Sequence, residues 1–209
     1  ITWIDDFMRP NPSFSFRTLA DFFRYRCGET PSLLAYASIR DNLNIEYQLT
    51  YRDLEQAVDS LAGHLVGRIQ PGARVLLLYP PGIDVVTAFW ACICAGLVPV
   101  PAPPPDPIRR KHSMPRLHAI SEDAQIALVL TTSGIAEASS DLPIVEVGRR
   151  VEWLSTDRSI DPGATVVVPQ PNDSSLAYLQ YTSGSTASPR GVMISHRNIL
   201  AQCDALQEA

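Results

Sequence analysis

Residues Arg74 to Tyr79, Arg-Val-Leu-Leu-Leu-Tyr, form a continuous apolar run that follows the turn-forming pair Pro71-Gly72. Such a run, bounded by a turn, is typical of a parallel strand that is covered on both faces. The sequence predicts a helix from about Asp84 to Ala95 and a second strand over Leu97 to Val100. Because parallel strands need a crossover connection, this stretch predicts a β-α-β unit.

The alternation of strand and helix continues downstream. Helices are predicted over Pro115 to Asp123 and near Ile135 to Ser139, and strands over Ile126 to Thr131 and Ile144 to Val147. The proline-containing segment Ser155 to Asp173 is predicted to be a long surface connection. The expected fold class is therefore α/β, with a layered, mostly parallel sheet and flanking helices.

Upstream of the β-α-β unit, the pattern predicts a helix, a hairpin and a second helix. Ser15 to Tyr25 has apolar residues at the spacing of one helix face. Leu33 to Ser38 and Ile45 to Leu49 flank a polar turn and predict a β-hairpin. The second helix is predicted from Tyr51 to about Gly67, with its cap near Thr50.

A proline-rich stretch, Val98 to Pro107, follows the predicted β-α-β unit and reads Val-Pro-Val-Pro-Ala-Pro-Pro-Pro-Asp-Pro. Proline cannot donate a backbone hydrogen bond, so we expect an extended surface loop here. Its continuation, residues 108–118, is locally basic. Two interpretations stay open for it: a solvated loop and helix entrance, or a contact for an acidic carrier protein or for phosphate.

Composition excludes some partners. The chain has 209 residues, 45% of them apolar, and a net charge of −5; it can bury a core, and it lacks the basic balance typical of nucleic-acid binding. The uncharged run Val85 to Ala102 is interrupted by Gly96, Pro99 and Pro101, so we expect a core helix and no integral membrane segment. No secretory signal is visible, and we expect a cytoplasmic location.

Cysteine and histidine spacings point to neither disulfides nor a metal site. We expect the cysteines to be reduced and buried, namely Cys27, Cys92, Cys94 and Cys203. The histidines show no metal-ligand spacing and are interpreted as surface or helix-end residues, namely His64, His112, His118 and His196. His196 follows residues 181–191 closely in the sequence, so a contact between His196 and a nucleotide stays open.

The segment from Thr182 to Ser188 has the composition of a phosphate-binding loop. Five of its seven residues carry a hydroxyl, it contains Gly184, and Arg190 and Gly191 follow it. Hydroxyl and backbone N–H groups can surround phosphate oxygens, glycine permits a close approach, and a guanidinium makes a two-pronged contact. Such a loop suits a polyphosphate ligand, but composition alone does not distinguish it from a serine- and glycine-rich hairpin turn, and both interpretations stay open at this point.

Flanking strands place this loop in the expected fold. Leu176 to Tyr181 and Gly191 to Ser195 are predicted strands, and a helix is predicted from about His196. The loop would then lie where strands end, which is where open α/β sheets bind ligands. It is not a Walker A loop, because the spacing of that motif is absent.

The full string Tyr181 to Gly191, Tyr-Thr-Ser-Gly-Ser-Thr-Ala-Ser-Pro-Arg-Gly, resembles the signature loop of the adenylate-forming superfamily. That superfamily includes acyl-CoA synthetases, luciferases, peptide-synthetase adenylation domains and fatty acyl-AMP ligases. The resemblance implies a loop that holds the β- and γ-phosphates of ATP. The sequence has Ala187 where the family usually has glycine, and Arg190 where it usually has lysine; arginine keeps the positive charge.

A finer resemblance is to fatty acyl-AMP ligases. It rests on Leu-Tyr-Pro-Pro-Gly at 78–82, the proline-rich residues 98–104, Pro-Arg-Leu at 115–117 with Ile120, and Leu-Gln-Tyr at 179–181. The resemblance implies that residues 1–209 are the N-terminal, incomplete portion of an AMP-binding domain. It also implies ATP-dependent conversion of a fatty acid to an acyl-adenylate with release of pyrophosphate, and later transfer to an acyl carrier protein or a fused polyketide or peptide synthase.

In family terms, the residues that would hold the β- and γ-phosphates are Thr182, Ser183, Gly184, Ser185, Thr186, Arg190 and Gly191. The resemblance places the hydroxyl of Thr186 near Mg²⁺. The family's other nucleotide-binding segments and its catalytic lysine would lie beyond residue 209, and the only lysine here, Lys111, is not at a matching position. We therefore expect no catalytic residue within these residues, and no adenylate formation by them alone.

Two alternatives stay open. An acyl-CoA synthetase or an amino-acid adenylation domain would share the loop and differ in the acceptor, and sequence beyond residue 209 would distinguish them. A non-catalytic module that binds an acyl chain or a nucleotide would keep the fold without the reaction.

Overall fold

The computed structural model describes residues 16–39, 45–105, 110–138, 145–146, 149–158, 171–182 and 189–207. Helices and strands alternate along these residues, with the following bounds: α1 (Leu19–Glu29), β1 (Leu34–Ile39), β2 (Ile45–Thr50), α2 (Tyr51–Leu65), β3 (Arg74–Leu78), α3 (Ile83–Cys94), β4 (Val98–Ala102), α4 (Arg110–Ala124), β5 (Ile126–Thr131), α5 (Ser133–Ala138), β6 (Val145–Glu146), β7 (Arg149–Arg150), β8 (Glu152–Ser155), β9 (Leu176–Thr182), β10 (Arg190–Ser195) and α6 (His196–Gln207).

A four-stranded parallel sheet in the order β4-β3-β5-β8 forms the centre of the fold. Strand β3 is covered on both faces, as its apolar run predicts. Val75 and Leu77 pack with α2 and α3 on one face. Leu76 and Leu78 pack with α4 and β9 on the other. The predicted α/β class, with helices flanking a mostly parallel sheet, is confirmed.

Two helices begin where a capping residue sets the start. Thr50 accepts a hydrogen bond from the Asp53 N–H through its hydroxyl, and the Asp53 carboxylate accepts one from the Thr50 N–H. This reciprocal arrangement satisfies backbone donors that have no partner within the helix, so α2 starts as predicted. Thr18 and Asp21 form the same motif ahead of α1, which explains why that helix starts later than Ser15.

The proline-rich stretch is only partly a loop, so that prediction is wrong for its first half. Val98–Ala102 forms the edge strand β4, and Val98 and Val100 are buried. The Val98 N–H donates to the Ala73 carbonyl at 2.9 Å. Because N–H groups alternate sides along a strand, Pro99 and Pro101 lose donors only on the side away from β3, which an edge strand tolerates.

The strand predicted over Ile144 to Val147 is not part of the parallel sheet. Within the described residues, β6 pairs antiparallel with β7 as a separate two-stranded element. The fourth strand of the sheet is instead β8, which sequence analysis missed because Glu152–Ser155 is short and only half buried. Residues 159–170 of the predicted surface connection lie outside the described residues.

The cysteines are free, but only two are buried. Cys27 and Cys92 are buried, whereas Cys94 and Cys203 are partly exposed, so the expected burial is wrong for the second pair. Desolvation by burial raises the pKa of the Cys27 thiol to about 11, which makes it a poor nucleophile near neutral pH. No helix in the described part of the chain is both long and apolar enough to cross a membrane.

Candidate phosphate-binding site

The predicted loop joins the two strands of an antiparallel hairpin. Strands β9 and β10 pair so that Tyr181 lies opposite Gly191 and Thr182 opposite Arg190, the last two pairs before the loop. The described part of the predicted site is therefore the mouth of the loop, where Thr182 and Arg190 face each other across the hairpin. The remaining predicted site residues lie outside the described residues, namely Ser183, Gly184, Ser185 and Thr186. Ala187, which replaces the family's usual glycine, lies outside them as well.

Side chains at the mouth are accessible to a ligand. Thr182 and Arg190 are both exposed. None of the ion pairs among the described residues includes Arg190, so its guanidinium is available for a two-pronged contact with an anion. A cation beside a hydroxyl fits phosphate oxygens, which accept hydrogen bonds and carry negative charge.

Tyr181 connects the loop end of the hairpin to the parallel sheet. Its hydroxyl donates a hydrogen bond to the Asp123 carboxylate. Asp123 lies in the last turn of α4, immediately before β5 begins. The charge of Arg74, the first residue of β3, also acts on Tyr181. The mouth of the loop therefore lies near the amino ends of β3 and β5.

The loop follows the end of a strand, as predicted, but that strand belongs to a two-stranded antiparallel sheet and not to the parallel sheet. The rule for open α/β sheets applies to strands that continue into a crossover helix. Strand β9 instead turns back into β10, so the rule does not apply to the connection between them. The hairpin alternative considered from composition is right about the geometry, and a hairpin loop can still bind phosphate.

Gly191 is required by its neighbour rather than by its own backbone. A Cβ atom at this position would lie 2.8 Å from Cζ and 3.0 Å from Oη of Tyr181, so the tyrosine ring lies directly against the glycine. Tyr181 is 6% exposed. Burial, and then the hydrogen bond to Asp123, raise the pKa of Tyr181 well above its usual range, so the hydroxyl stays protonated and donates.

Tyr181 and Asp123 are the residues of this site that sequence analysis did not identify. Tyr181 belongs to the quoted loop string, but it was not among the residues assigned to the phosphates. Asp123 is separated from it by 58 residues along the chain. Neither a motif nor a periodicity relates two positions that far apart, so the sequence carries no signal for the pair.

His196 is buried and lies away from the loop. As the first residue of α6 it is a helix-end residue as predicted, but it is only 2% exposed. Its Nδ1 accepts a hydrogen bond of 3.1 Å from the Leu19 N–H. Strand β10 separates it from the loop by about 20 Å, taking ~3.3 Å per residue. His196 is thus a packing residue at the end of β10 away from the loop mouth.

A separate cavity of about 580 Å³ opens at the carboxyl edge of the sheet. Its walls include Gly82 and Asp84, which follow β3, and Thr156 and Arg158, which follow β8. It is therefore at the opposite edge from the loop. Among the described residues, no group of three or more His, Cys, Asp or Glu side chains is placed to hold a metal ion.

A family model described as "AMP-binding enzyme" matches residues 23–209. The chain is 38% identical over 204 residues to the medium-chain-fatty-acid–[acyl-carrier-protein] ligase JamA of Moorena producens, a match that covers 95% of this chain and 34% of the relative. The chain thus spans about a third of that relative's length.

The chain is also similar in structure to solved fatty acid AMP ligases. A fatty acid AMP ligase from Legionella pneumophila superposes with a TM-score of 0.79 at 26% identity, covering 91% of this chain and 32% of that one. A fatty acyl-adenylate ligase from L. pneumophila, solved in complex with acyl adenylate and pyrophosphate, gives a TM-score of 0.77 at 27% identity, with the same coverage.

Proposed function

Since the chain belongs to the family of AMP-binding enzymes, we propose that its protein activates a fatty acid as an acyl-adenylate. In this proposal residues 1–209 form the N-terminal, incomplete portion of the adenylating domain. A carboxylate oxygen attacks the α-phosphorus of ATP, the bond from that phosphorus to the bridging oxygen breaks, and pyrophosphate leaves. The resemblance to fatty acyl-AMP ligases noted in the sequence agrees with the relatives found.

The observation that carries the proposal is the arrangement at the mouth of the hairpin loop. Arg190 and Thr182 are exposed and lie opposite each other, and Gly191 in the adjacent pair leaves room for the Tyr181 ring against its backbone. We assign the β- and γ-phosphates of ATP to this mouth and to the loop that it closes, namely Thr182, Ser183, Gly184, Ser185, Thr186, Arg190 and Gly191.

Catalysis of this kind depends on positioning and charge neutralisation. The Thr186 hydroxyl would lie beside a bound Mg²⁺, which would supply positive charge to offset the negative charge of the phosphates. Arg190 holds the departing phosphates from the other side of the mouth. We assign no proton-transfer or nucleophilic role to the described residues, because the reacting carboxylate needs no activation by them.

We propose an acyl carrier protein as the acceptor, either free or as part of a polyketide or peptide synthase. Attack of the carrier thiol on the acyl carbon forms a thioester and releases AMP. The support is the Moorena relative, which is a medium-chain-fatty-acid–[acyl-carrier-protein] ligase. The basic residues at the start of α4 are a candidate contact for such an acidic carrier. We also propose a cytoplasmic location.

Exchange of labelled pyrophosphate into ATP, dependent on a fatty acid, tests the proposal in the complete protein. Arg190→Ala removes the charged contact, so we expect KM for ATP to rise about tenfold to hundredfold, while Arg190→Lys keeps most of the activity. Arg68→Ala is the matched control, because Arg68 is exposed and its partner is Glu152 rather than the loop.

Three outcomes separate the alternatives. An unchanged KM for ATP in Arg190→Ala contradicts the assignment of phosphate to this loop. ATP binding without any exchange favours a non-catalytic nucleotide-binding module. Exchange that is followed by efficient transfer to coenzyme A, rather than to a carrier protein, identifies an acyl-CoA synthetase.

A further inference from the structure

We propose that Tyr181 and Asp123 are positioning residues that hold the two ends of the phosphate loop in register. The inference rests on the proposed function, because it assigns these residues a role in binding ATP. Neither side chain is placed against the phosphates. They act through the hairpin ladder on Thr182 and Arg190, which are the next residues on each strand.

Tyr181 and Gly191 are in direct contact across the hairpin. The ring of Tyr181 lies where a Cβ of residue 191 would be, at 2.8 Å from Cζ. The tyrosine on one strand therefore packs directly on the backbone of the opposite strand, one pair before the mouth. Any shift of the ring changes how closely the two strands approach at that pair.

A hydrogen bond to Asp123 fixes the position of the Tyr181 ring. The Tyr181 hydroxyl donates to the Asp123 carboxylate, and a hydrogen bond to a charged acceptor is stronger than a neutral one. Asp123 is itself fixed, because α4 packs on the sheet through the buried residues Leu117 and Ile120. The base of the loop is thus tied to the rigid core and not only to its own hairpin.

The fixed ring sets the geometry of Thr182 and Arg190 at the mouth of the loop. An isolated two-stranded hairpin is marginally stable in water, and a phosphate site needs its donors within a fraction of an ångström of the productive geometry. With the ring anchored, the separation of Thr182 and Arg190 is set before ATP arrives. Without the anchor, part of the binding energy is spent on ordering the strands, so ATP binds more weakly.

A role in positioning predicts a selective kinetic effect. In the complete protein, we expect Tyr181→Phe to raise KM for ATP about fivefold, the equivalent of one lost hydrogen bond. KM for the fatty acid and kcat should change less than twofold, because the proposal assigns this mouth to the phosphates of ATP and not to the acyl chain. A role in stability alone would lower the melting temperature and leave the two KM values unchanged.

A matched control separates positioning from stability. Tyr79 is also a buried tyrosine of the sheet, and its hydroxyl shares a hydrogen bond of 2.8 Å with the Thr156 hydroxyl. It lies at the carboxyl edge, away from the loop. Tyr79→Phe should therefore lower the melting temperature by a similar amount to Tyr181→Phe, with KM for ATP unchanged.

Coupling between the two strands gives the sharper test. Gly191→Ala forces the tyrosine ring to move, so it should raise KM for ATP by about fivefold or more in the wild-type background. In a Tyr181→Leu background there is no ring for the new methyl group to meet, and the same glycine substitution should have little further effect. Additive effects of the two substitutions would overturn the proposed contact.

The outcomes distinguish this inference from the function on which it rests. Wild-type protein without fatty-acid-dependent exchange overturns the proposed function, and this inference with it. An active wild type whose KM for ATP is unchanged in Tyr181→Phe and Gly191→Ala overturns the positioning role alone. A selective rise in KM for ATP, absent in Tyr79→Phe, supports it.

Discussion

Replacement of His196 should destabilise the protein by removing one buried hydrogen-bond acceptor. Leu19 is the first residue of α1, and the first N–H groups of a helix have no partner within the helix. Here the Leu19 N–H donates to Nδ1 of His196, and both residues are buried, at 5% and 2% exposure. His196→Phe keeps an aromatic ring but leaves that N–H without an acceptor.

The magnitude follows from the cost of an unsatisfied buried donor, about 1–3 kcal/mol. The packing of Leu19 with Ile93 and Ala177 should be kept, so we expect the lower half of that range. His196→Asn is the matched variant, because an amide oxygen can take the place of Nδ1, and we expect it to recover part of the lost stability.

The interaction should also depend on pH, with a sign set by His196. Burial lowers the pKa of the imidazole below its usual value of 6.5, and Asp21 opposes this more weakly. Between the lowered pKa and 6.5, the unfolded chain binds more protons than the folded one. The contribution of His196 is therefore complete above 6.5, falls as pH drops through 6.5, and levels off below the lowered pKa.

Chemical unfolding of wild type and both variants, followed from pH 8 to pH 5, measures both effects. Wild-type stability should fall relative to His196→Asn over the lower part of that range. Equal stabilities of His196→Phe and wild type at pH 8 would refute the role of the Leu19 N–H as a buried donor. A difference that grows, rather than shrinks, on acidification would refute the assigned direction of the pKa shift.

Two further predictions concern the helix cap and the isolated chain. Thr50→Ala removes the hydroxyl that caps α2 and should lower the free energy of unfolding by about 1 kcal/mol, measured by denaturant titration; Thr50→Ser keeps the cap, and an equal loss in that variant would contradict the assignment. Purified residues 1–209 alone should release no pyrophosphate from ATP in the presence of a fatty acid, because the family's catalytic lysine has no counterpart here. Release above a protein-free control would show that prediction to be wrong.

The mouth of the loop and the cavity lie near opposite edges of the parallel sheet. Sequence analysis applied to the loop the rule that open α/β sheets bind ligands where strands end. The carboxyl edge of the parallel sheet instead holds the cavity near Asp84 and Arg158. The phosphate assignment therefore rests on the residues of the loop mouth and on the family, and not on the general rule for parallel sheets.

Local patterns in the sequence were sufficient for most of the elements. Strand β5 runs from Ile126 to Thr131 as predicted, and α2 begins after Thr50 as its cap predicts. These signals lie within windows of a few residues, where apolar periodicity and capping chemistry act directly on the backbone. The resemblance of Tyr181 to Gly191 to a family loop is also local, and the family match confirms it.

Only the tertiary structure decided which distant residues meet. The Tyr181–Asp123 hydrogen bond spans 58 residues and the Leu19–His196 bond spans 177. Such pairs depend on strand order and on the edge of the sheet that each connection reaches, and apolar periodicity carries no information about either. The loop string by itself indicated phosphate chemistry. The position of the loop mouth near the amino edge of the parallel sheet follows from how β9 and α4 pack on that sheet. The same packing brings Tyr181 and Asp123 together.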